Sequence, residues 1–168
     1  IVDWGDGGLA AAVVEQSQNV VELAAVTGDA ELGLVEVDLA LLGQLLGQFE
    51  KDTGLAVPED LRIFERVMGA AAAARTALQD VLEYDVLLSN LVPAGLSKAD
   101  LETKLTRARF SAVAQPFVDR AYETVRQSLA DRRFGGADLD EVVMLGGMWR
   151  SGMLARRLAE KLFKEPTR

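Results

Sequence analysis

The fold of this chain is set by a short segment in its last third, Glu141-Val142-Val143-Met144-Leu145-Gly146-Gly147-Met148-Trp149-Arg150. An apolar run that ends in two glycines and leads into a helix-forming stretch predicts a strand, a turn and a helix. Because two consecutive residues lack side chains, a flat or anionic ligand can approach the backbone, and the N-terminus of the following helix favours negative charge. Arg150 lies beside this opening. Two glycines after a strand are more often a tight turn than a binding site, so the rest of the chain must supply the partners.

The composition excludes several kinds of chemistry. The chain has 168 residues, the size of one domain, and is 49% hydrophobic, which is enough for a core. It contains no cysteine and no histidine, which excludes disulfides, thiol chemistry and any histidine-based hydrolytic triad. Its apolar runs are too short for a membrane span and it has no secretory signal, so we expect a soluble, cytoplasmic protein without a membrane partner. Its first residue is Ile1 and not Met, so we expect either a segment of a longer protein or an incomplete sequence.

The charge of the chain is unevenly distributed. The formal net charge is −8. Residues 1–60 carry 12 acidic side chains and one basic side chain, whereas residues 61–168 carry 17 basic and 14 acidic ones. An acidic N-terminal third argues against non-specific binding to a phosphate backbone, so we expect no nucleic acid partner. A solvated acidic face is the simplest meaning of the asymmetry.

Turn residues and hydrophobic periodicity predict an α/β fold. The predicted strands cover residues 1–4, 9–15, 19–27, 81–88, 101–106 and 141–145, with a loop at Pro93-Ala94-Gly95. Four helices are predicted from apolar residues at spacings of three and four. Their stripes run over residues 35–49, 63–78, 110–129 and 154–162. Pro58-Glu59-Asp60 is expected to begin the second helix, with its acids in the first turn, and Thr106 to cap the third.

Three glycine turns are candidates for a binding site. In Asp3-Trp4-Gly5-Asp6-Gly7-Gly8, a strand-end carboxylate could hold a hydrated magnesium ion while backbone N–H groups face a phosphate. An ordinary glycine-rich hairpin is the commoner reason for such spacing. Gly28-Asp29 with Gly33 is typical of a turn before a helix. At Gly146-Gly147, the planar guanidinium of Arg150 could stack on a base.

The order of these segments resembles lobe II of the nucleotide-binding domain of the DnaK-type heat-shock chaperones, members of the actin-like ATPase superfamily. The resemblance covers nearly the whole chain. Residues 1–8 are similar to the family's second phosphate loop, and residues 143–150 to its Val-Gly-Gly-x-x-Arg adenosine loop. The family's Gly-Asp-x-x-Leu-Gly motif is similar to Gly28-Asp29-Ala30-Glu31-Leu32-Gly33. Its Thr-Arg-Ala-x-Phe helix start is similar to Leu105-Thr106-Arg107-Ala108-Arg109-Phe110. Its Gly-Lys-Glu-Pro ending is similar to Lys164-Glu165-Pro166.

This resemblance implies an actin-like, ribonuclease-H-like α/β lobe with an inserted helix-rich α+β subdomain. Residues 1–33 and 110–168 would form the core subdomain, and residues 34–109 the insertion. ATP or ADP with magnesium would be the cofactor. The resemblance places Asp3, Gly5, Gly7 and Gly8 at the phosphates, with Asp3 also holding magnesium through water. It places Gly146, Gly147 and Arg150 at the adenosine, and Arg75 where a ribose-clamping Lys is usual.

Several positions depart from the family pattern in ways that weaken a nucleotide site. In the first loop, Gly8 stands where the family has Thr, Ala10 where it has Asp, and Asp6 where it has Gly. On the second helix, Ala72 stands in place of a Glu and Gln79 in place of a Ser. Gly33-Leu34-Val35 stands in place of Gly-Gly-Glu. Met148 and Trp149 replace small polar residues, and they are either core or contact residues. Each lost hydrogen bond corresponds to about 0.5–1.5 kcal/mol, and micromolar affinity to only about 8 kcal/mol. We therefore assign no catalytic residue, and we expect the isolated lobe not to hydrolyse ATP.

The resemblance predicts a function within a larger protein. The chain would be the nucleotide-binding lobe of a chaperone ATPase in which ATP and ADP regulate the binding of client proteins. Its partners would be lobe I of the parent chain and a nucleotide-exchange factor or co-chaperone at the inserted subdomain. The alternative is a non-catalytic protein-interaction module on the same fold with a degenerate nucleotide site. An engineered sequence on this scaffold is a third interpretation.

Overall fold

Three strands, two helices, two strands, a helix, a strand and a helix follow one another in the order that the glycine turns and the apolar stripes predict. A computed structural model describes residues 1–92, 99–162 and 165–167. The predicted loop at Pro93-Ala94-Gly95 and Lys164 of the closing motif lie outside the described residues. The strands are β1 Val2–Gly5, β2 Gly8–Ser17, β3 Val20–Asp29, β4 Glu83–Val92, β5 Ala99–Thr106 and β6 Met144–Gly146. The helices are α1 Leu34–Thr53, α2 Leu61–Ala77, α3 Arg107–Ala130 and α4 Met153–Leu162.

The described residues divide into two compact units, and the α/β class predicted for the chain is confirmed. Unit 1 consists of Ile1–Glu36 and Ala114–Arg168, and unit 2 consists of Val37–Val113. The first three residues of α1 belong to unit 1 and the rest of that helix to unit 2. Helix α3 passes from unit 2 into unit 1 in the same way.

Unit 1 is built on a four-stranded sheet with the order β3-β2-β1-β6. Strand β1 runs antiparallel to β2 and parallel to β6. Successive side chains of a strand point to opposite faces of the sheet. In β1, Val2 and Trp4 are buried on one face, whereas Asp3 between them is exposed on the other. The core on this side is completed by buried residues of β2, α3 and α4, namely Leu9, Ala11, Val13, Ala114, Val118, Ala121, Val125, Leu129, Leu154, Leu158 and Leu162.

Unit 2 combines two helices with a two-stranded hairpin. Strands β4 and β5 pair antiparallel, and α2 packs against β4. The guanidinium of Arg107 donates to the carbonyls of Leu78 (2.9 Å) and Gln79 (3.1 Å), which joins the start of α3 to the turn after α2. The apolar stripe predicted for α2 lies in the core of this unit, whereas the stripe predicted for α1 was wrong at Val35 and Leu39, which are 44% and 41% exposed. The buried face of α1 is offset from the predicted one because other helices and strands decide which face is covered. The core of unit 2 includes Val37, Leu41, Leu45, Phe49, Ile63, Val67, Ala71, Ala74, Leu78, Val86, Leu91, Leu101 and Leu105.

The helix starts follow ordinary capping chemistry. The Thr106 hydroxyl accepts a hydrogen bond from the backbone N–H of Arg109 at 3.1 Å, which confirms Thr106 as the N-cap of α3. Helix α2 begins at Leu61, so the acids of Pro58-Glu59-Asp60 precede it instead of lying in its first turn. Asp60 is the N-cap, and its carboxylate accepts from the N–H of Arg62 at 2.7 Å.

The segment at residues 141–150 differs from the predicted strand, turn and helix. The ladder between β1 and β6 begins where Val2 pairs with Met144, and β6 has only three residues. The carbonyl of Val143 accepts from the N–H of Val2 at 2.8 Å, and the backbone of Val143 also forms a bridge with Thr167. After the two glycines comes a 3-10 turn, Met148–Ser151, and then Gly152, whose φ is +67°. Helix α4 starts only at Met153, so its N-terminus does not follow the glycines directly.

Candidate functional site

The two candidate loops of unit 1 lie at the same edge of the sheet. Strand β1 pairs with β6 in parallel, with Asp3 opposite Leu145 and Trp4 opposite Gly146. The carboxyl ends of both strands therefore meet at one edge, which is where open α/β sheets bind their ligands. The glycine turn after β1 and the glycine pair at the end of β6 are consequently neighbours, although more than 130 residues separate them in the sequence.

Gly146 joins the two strands by close backbone packing. Its φ is +88°, a conformation that favours glycine, and a Cβ at this position would lie 2.1 Å from the carbonyl oxygen of Trp4. The same Cβ would lie 2.8 Å from Oδ1 of Asp3. The structure thus brings two predicted site residues, Asp3 and Gly146, into contact. It also gives Gly146 a structural reason to be glycine, independent of any ligand.

The turn after β1 rests on the segment that leads into α1. Gly8 has φ +129°, and a Cβ there would lie 2.6 Å from the carbonyl oxygen of Asp29. A Cβ on Gly33 would lie 2.2 Å from the carbonyl oxygen of Asp6. The N–H of Gly33 donates to Oε2 of Glu36 at 2.7 Å, which fixes the start of α1. Gly28 and Asp29 belong to β3, where they pair with Ala10 and Leu9, so the turn predicted at these two residues was wrong. The end of β3 and Gly33 support the first loop.

Gly5 and Gly7 are the glycines of this loop whose faces are open to a ligand. A Cβ on Gly7 would meet no atom within 4 Å, and one on Gly5 would meet only Oδ1 of Asp3, at 4.0 Å. Backbone that is open on one side can approach a polyphosphate closely. Among the residues that the structure describes, no group of three or more Asp, Glu, His or Cys side chains could hold a metal ion. The single carboxylate of Asp3 fits a hydrated magnesium ion, which keeps most of its water ligands.

Gly147 is covered by a side chain that the sequence pattern did not associate with it. A Cβ on Gly147 would lie 2.7 Å from Cδ1 of Leu34, the first residue of α1, and Leu34 is only 5% exposed. Met148, the next residue, is 0% exposed and therefore belongs to the core. Arg150 is exposed and lies in the turn Met148–Ser151. The two halves of the glycine pair thus have different surroundings.

Arg75, the predicted ribose-side residue, lies on α2 in unit 2. Its Nε donates to Oδ1 of Asp38 at 2.6 Å, and its Nη2 donates to Oδ2 of the same carboxylate at 3.1 Å. The side chains of Arg75 and Asp38 are 10% and 7% exposed. This bidentate pair joins α2 to α1. No pattern in the sequence indicates Asp38 as the partner, because the two residues are 37 positions apart on different helices.

A second ion pair lies behind the loops of unit 1. The guanidinium of Arg120 on α3 contacts both carboxylate oxygens of Asp29, at 2.6 and 2.8 Å. Oδ1 of Asp29 also accepts from the backbone N–H of Glu31 at 3.1 Å. Arg120 therefore ties α3 to the end of β3, on which the β1 loop rests.

These features define an α/β lobe that presents open glycine backbone and the carboxylates of Asp3 and Asp6 at the carboxyl ends of neighbouring strands. The family model for Hsp70 protein matches residues 1–168. The chain belongs to the Hsp70 family. It is 34% identical over 170 residues to a chaperone protein DnaK of Thermus thermophilus, covering 100% of this chain and 28% of that protein. It is 30% identical over 166 residues to the DnaK of Nitrosopumilus maritimus, covering 98% of this chain and 26% of that protein.

The match extends to a third DnaK, that of Thermosipho africanus, at 29% identity over 168 residues, covering 100% of this chain and 28% of that protein. The chain thus spans about a quarter of the length of the curated relatives that it matches. Within residues 1–92, 99–162 and 165–167, no helix has the length and apolar character that a bilayer crossing requires.

Proposed function

We propose that this chain is the second lobe of the nucleotide-binding domain of a DnaK-like chaperone ATPase, which binds ATP or ADP with magnesium to regulate the binding of client proteins. The observation that carries the proposal is the contact between Asp3 and Gly146 at one sheet edge, beside the open backbone of Gly5 and Gly7. Membership of the Hsp70 family supports it.

Each candidate residue has a role in this proposal. Gly5, Gly7 and Gly8 form the loop that receives the phosphates, with Gly5 and Gly7 supplying the open backbone. Asp3 holds magnesium through water, and the bound ion would offset negative charge of the phosphates. Gly146, Gly147 and Arg150 face the adenosine, with the guanidinium plane of Arg150 against the base. Arg75 serves the ribose side, and Asp38 fixes the orientation of its guanidinium.

The proposal also assigns partners and a compartment. The first lobe of the full-length protein supplies the opposite wall of the nucleotide cleft. A nucleotide-exchange factor or co-chaperone binds the inserted subdomain, residues 34–109. Unit 2 exposes large apolar side chains that suit a protein partner, among them Leu61, Phe64, Leu82 and Leu87. The proposal places the protein in the cytoplasm, on the family resemblance.

A titration of the full-length protein with Mg-ADP tests the nucleotide site. Ligand at 100 times its Kd should stabilise the folded protein by about 2.7 kcal/mol, which thermal unfolding detects as a higher Tm. Arg150→Ala should remove most of this shift, because the adenosine loses its stacking partner. Arg126→Ala is the matched control, since Arg126 is an exposed arginine of unit 1 whose ion pair is with Glu123. No shift at millimolar Mg-ADP, or equal losses in both variants, would contradict the proposal.

A further inference from the structure

We infer that Leu34 lowers the affinity of the nucleotide site, because its side chain covers one face of Gly147, which the proposed function places at the adenosine. This inference rests on the proposed function. Leu34 is the first residue of α1, and Gly147 follows β6; both belong to unit 1. More than 100 residues separate Leu34 from Gly147 in the sequence, so their contact depends on tertiary structure.

The contact occupies the side-chain face of Gly147, although this residue is itself partly exposed. A Cβ on this glycine would lie 2.7 Å from Cδ1 of Leu34, closer than real Cβ atoms come to a neighbour, so the end of the leucine side chain would have to move. A ligand atom in van der Waals contact with the α-carbon would meet the same methyl group. Gly5 and Gly7 at the same edge have no such cover. The phosphate side of the site is therefore open, while the side-chain face of Gly147 is covered by one leucine.

The backbone around Leu34 is fixed, so the cover cannot be removed by a shift of the loop. Gly33 packs against the carbonyl oxygen of Asp6, and its N–H is bonded to the carboxylate of Glu36. Leu32 is 0% exposed, and Leu34 itself is 5% exposed. A nucleotide can contact this face of Gly147 only if the Leu34 side chain rotates out of its buried position. Binding is then opposed by the exposure of an apolar side chain.

Nucleotide titrations of Leu34 variants of the full-length protein test this inference. Leu34→Ala keeps a helix-forming residue at the start of α1 and removes the methyl groups that reach Gly147. Its Kd for Mg-ADP should fall by about tenfold, since the binding step no longer exposes a leucine side chain. Leu34→Gly should bind at least as tightly as Leu34→Ala. The readout is the Kd from calorimetric titration, with the unfolding midpoint of each unliganded variant measured in parallel.

Leu45→Ala is the matched control, because it removes a buried leucine side chain from α1 at a position away from Gly147. Leu45 is 1% exposed on the same helix but lies 11 residues further on, about 16 Å along the axis. Leu45→Ala should lower the unfolding midpoint and leave the Kd unchanged. If the unsubstituted protein binds Mg-ADP and both Leu34 variants bind no more tightly, the inference is overturned and the proposed function stands. If neither the unsubstituted protein nor the variants bind at millimolar Mg-ADP, the proposed function fails together with the inference.

Discussion

The carbonyl oxygen of Trp4 lies against the α-carbon of Gly146, where a Cβ would approach it to 2.1 Å. The two residues are partners in the parallel ladder between β1 and β6. Gly146 also has a φ of +88°, which residues with a side chain rarely adopt. The junction that brings both candidate loops to one sheet edge therefore requires a glycine at residue 146 for packing as well as for backbone conformation.

Gly146→Ala should destabilise unit 1 by about 3 kcal/mol, because the added methyl group combines a positive φ with a clash against fixed backbone. Urea denaturation followed by tryptophan fluorescence measures the loss. Gly7→Ala is the matched control: its Cβ would meet nothing within 4 Å, so the free energy of unfolding should change by less than about 1 kcal/mol. Equal stabilities of the two variants would show that residue 146 tolerates a side chain.

The local elements of this fold were predictable because their signals are local. Alternating apolar residues and glycine turns predicted the β1–β2–β3 meander, and apolar stripes predicted all four helices. Thr106 was recognised as a cap from its position before a periodic stretch. The strand at residues 141–145 was predicted with the wrong bounds, because its length depends on the register with β1, which no local pattern contains.

The surroundings of the site residues could not be predicted for the same reason. The sequence shows that residues 8, 33, 146 and 147 are glycines, and it does not show what a side chain at each would touch. Gly8 and Gly146 meet backbone oxygens, whereas Gly147 meets a leucine methyl group from α1. The partner of Arg75 likewise lies on another helix. Each of these contacts is set by tertiary packing between segments distant in the chain.

Removing one partner of the Arg75–Asp38 pair should destabilise unit 2 by about 3–5 kcal/mol, because the other charge is left buried without compensation. We expect this loss for Asp38→Ala and for Arg75→Ala. The double variant Asp38→Leu with Arg75→Met should recover most of it, since no buried charge remains. Chemical denaturation of Asp38→Ala, Arg75→Ala and the double variant that carries both alanines forms a double-mutant cycle. Additive losses in that cycle would mean that the two side chains do not stabilise each other.

The pair between Arg120 and Asp29 should contribute much less, although its distances are just as short. The side chain of Arg120 is 50% exposed, so water and salt screen the attraction. Arg120→Ala should lower the free energy of unfolding by about 1 kcal/mol or less, and 1 M NaCl should reduce this difference further. The measurement is denaturation of both proteins at low and high salt. A loss as large as that of Asp38→Ala would contradict the role assigned to solvent exposure.

Asp6 places a negative charge in the loop that receives the phosphates in the proposed function. Its side chain is exposed, and its carbonyl oxygen packs against Gly33. Two unit charges about 4 Å apart repel by about 1 kcal/mol in water, so Asp6→Asn should tighten Mg-ADP binding about fivefold. Asp140→Asn is the control, because it removes the same charge from an exposed residue that precedes β6, away from its carboxyl end. Titrations at 0.05 and 1 M NaCl should show the advantage of Asp6→Asn shrinking as salt screens the repulsion. An affinity that Asp6→Asn leaves unchanged at low salt would mean that the phosphates do not bind beside this loop.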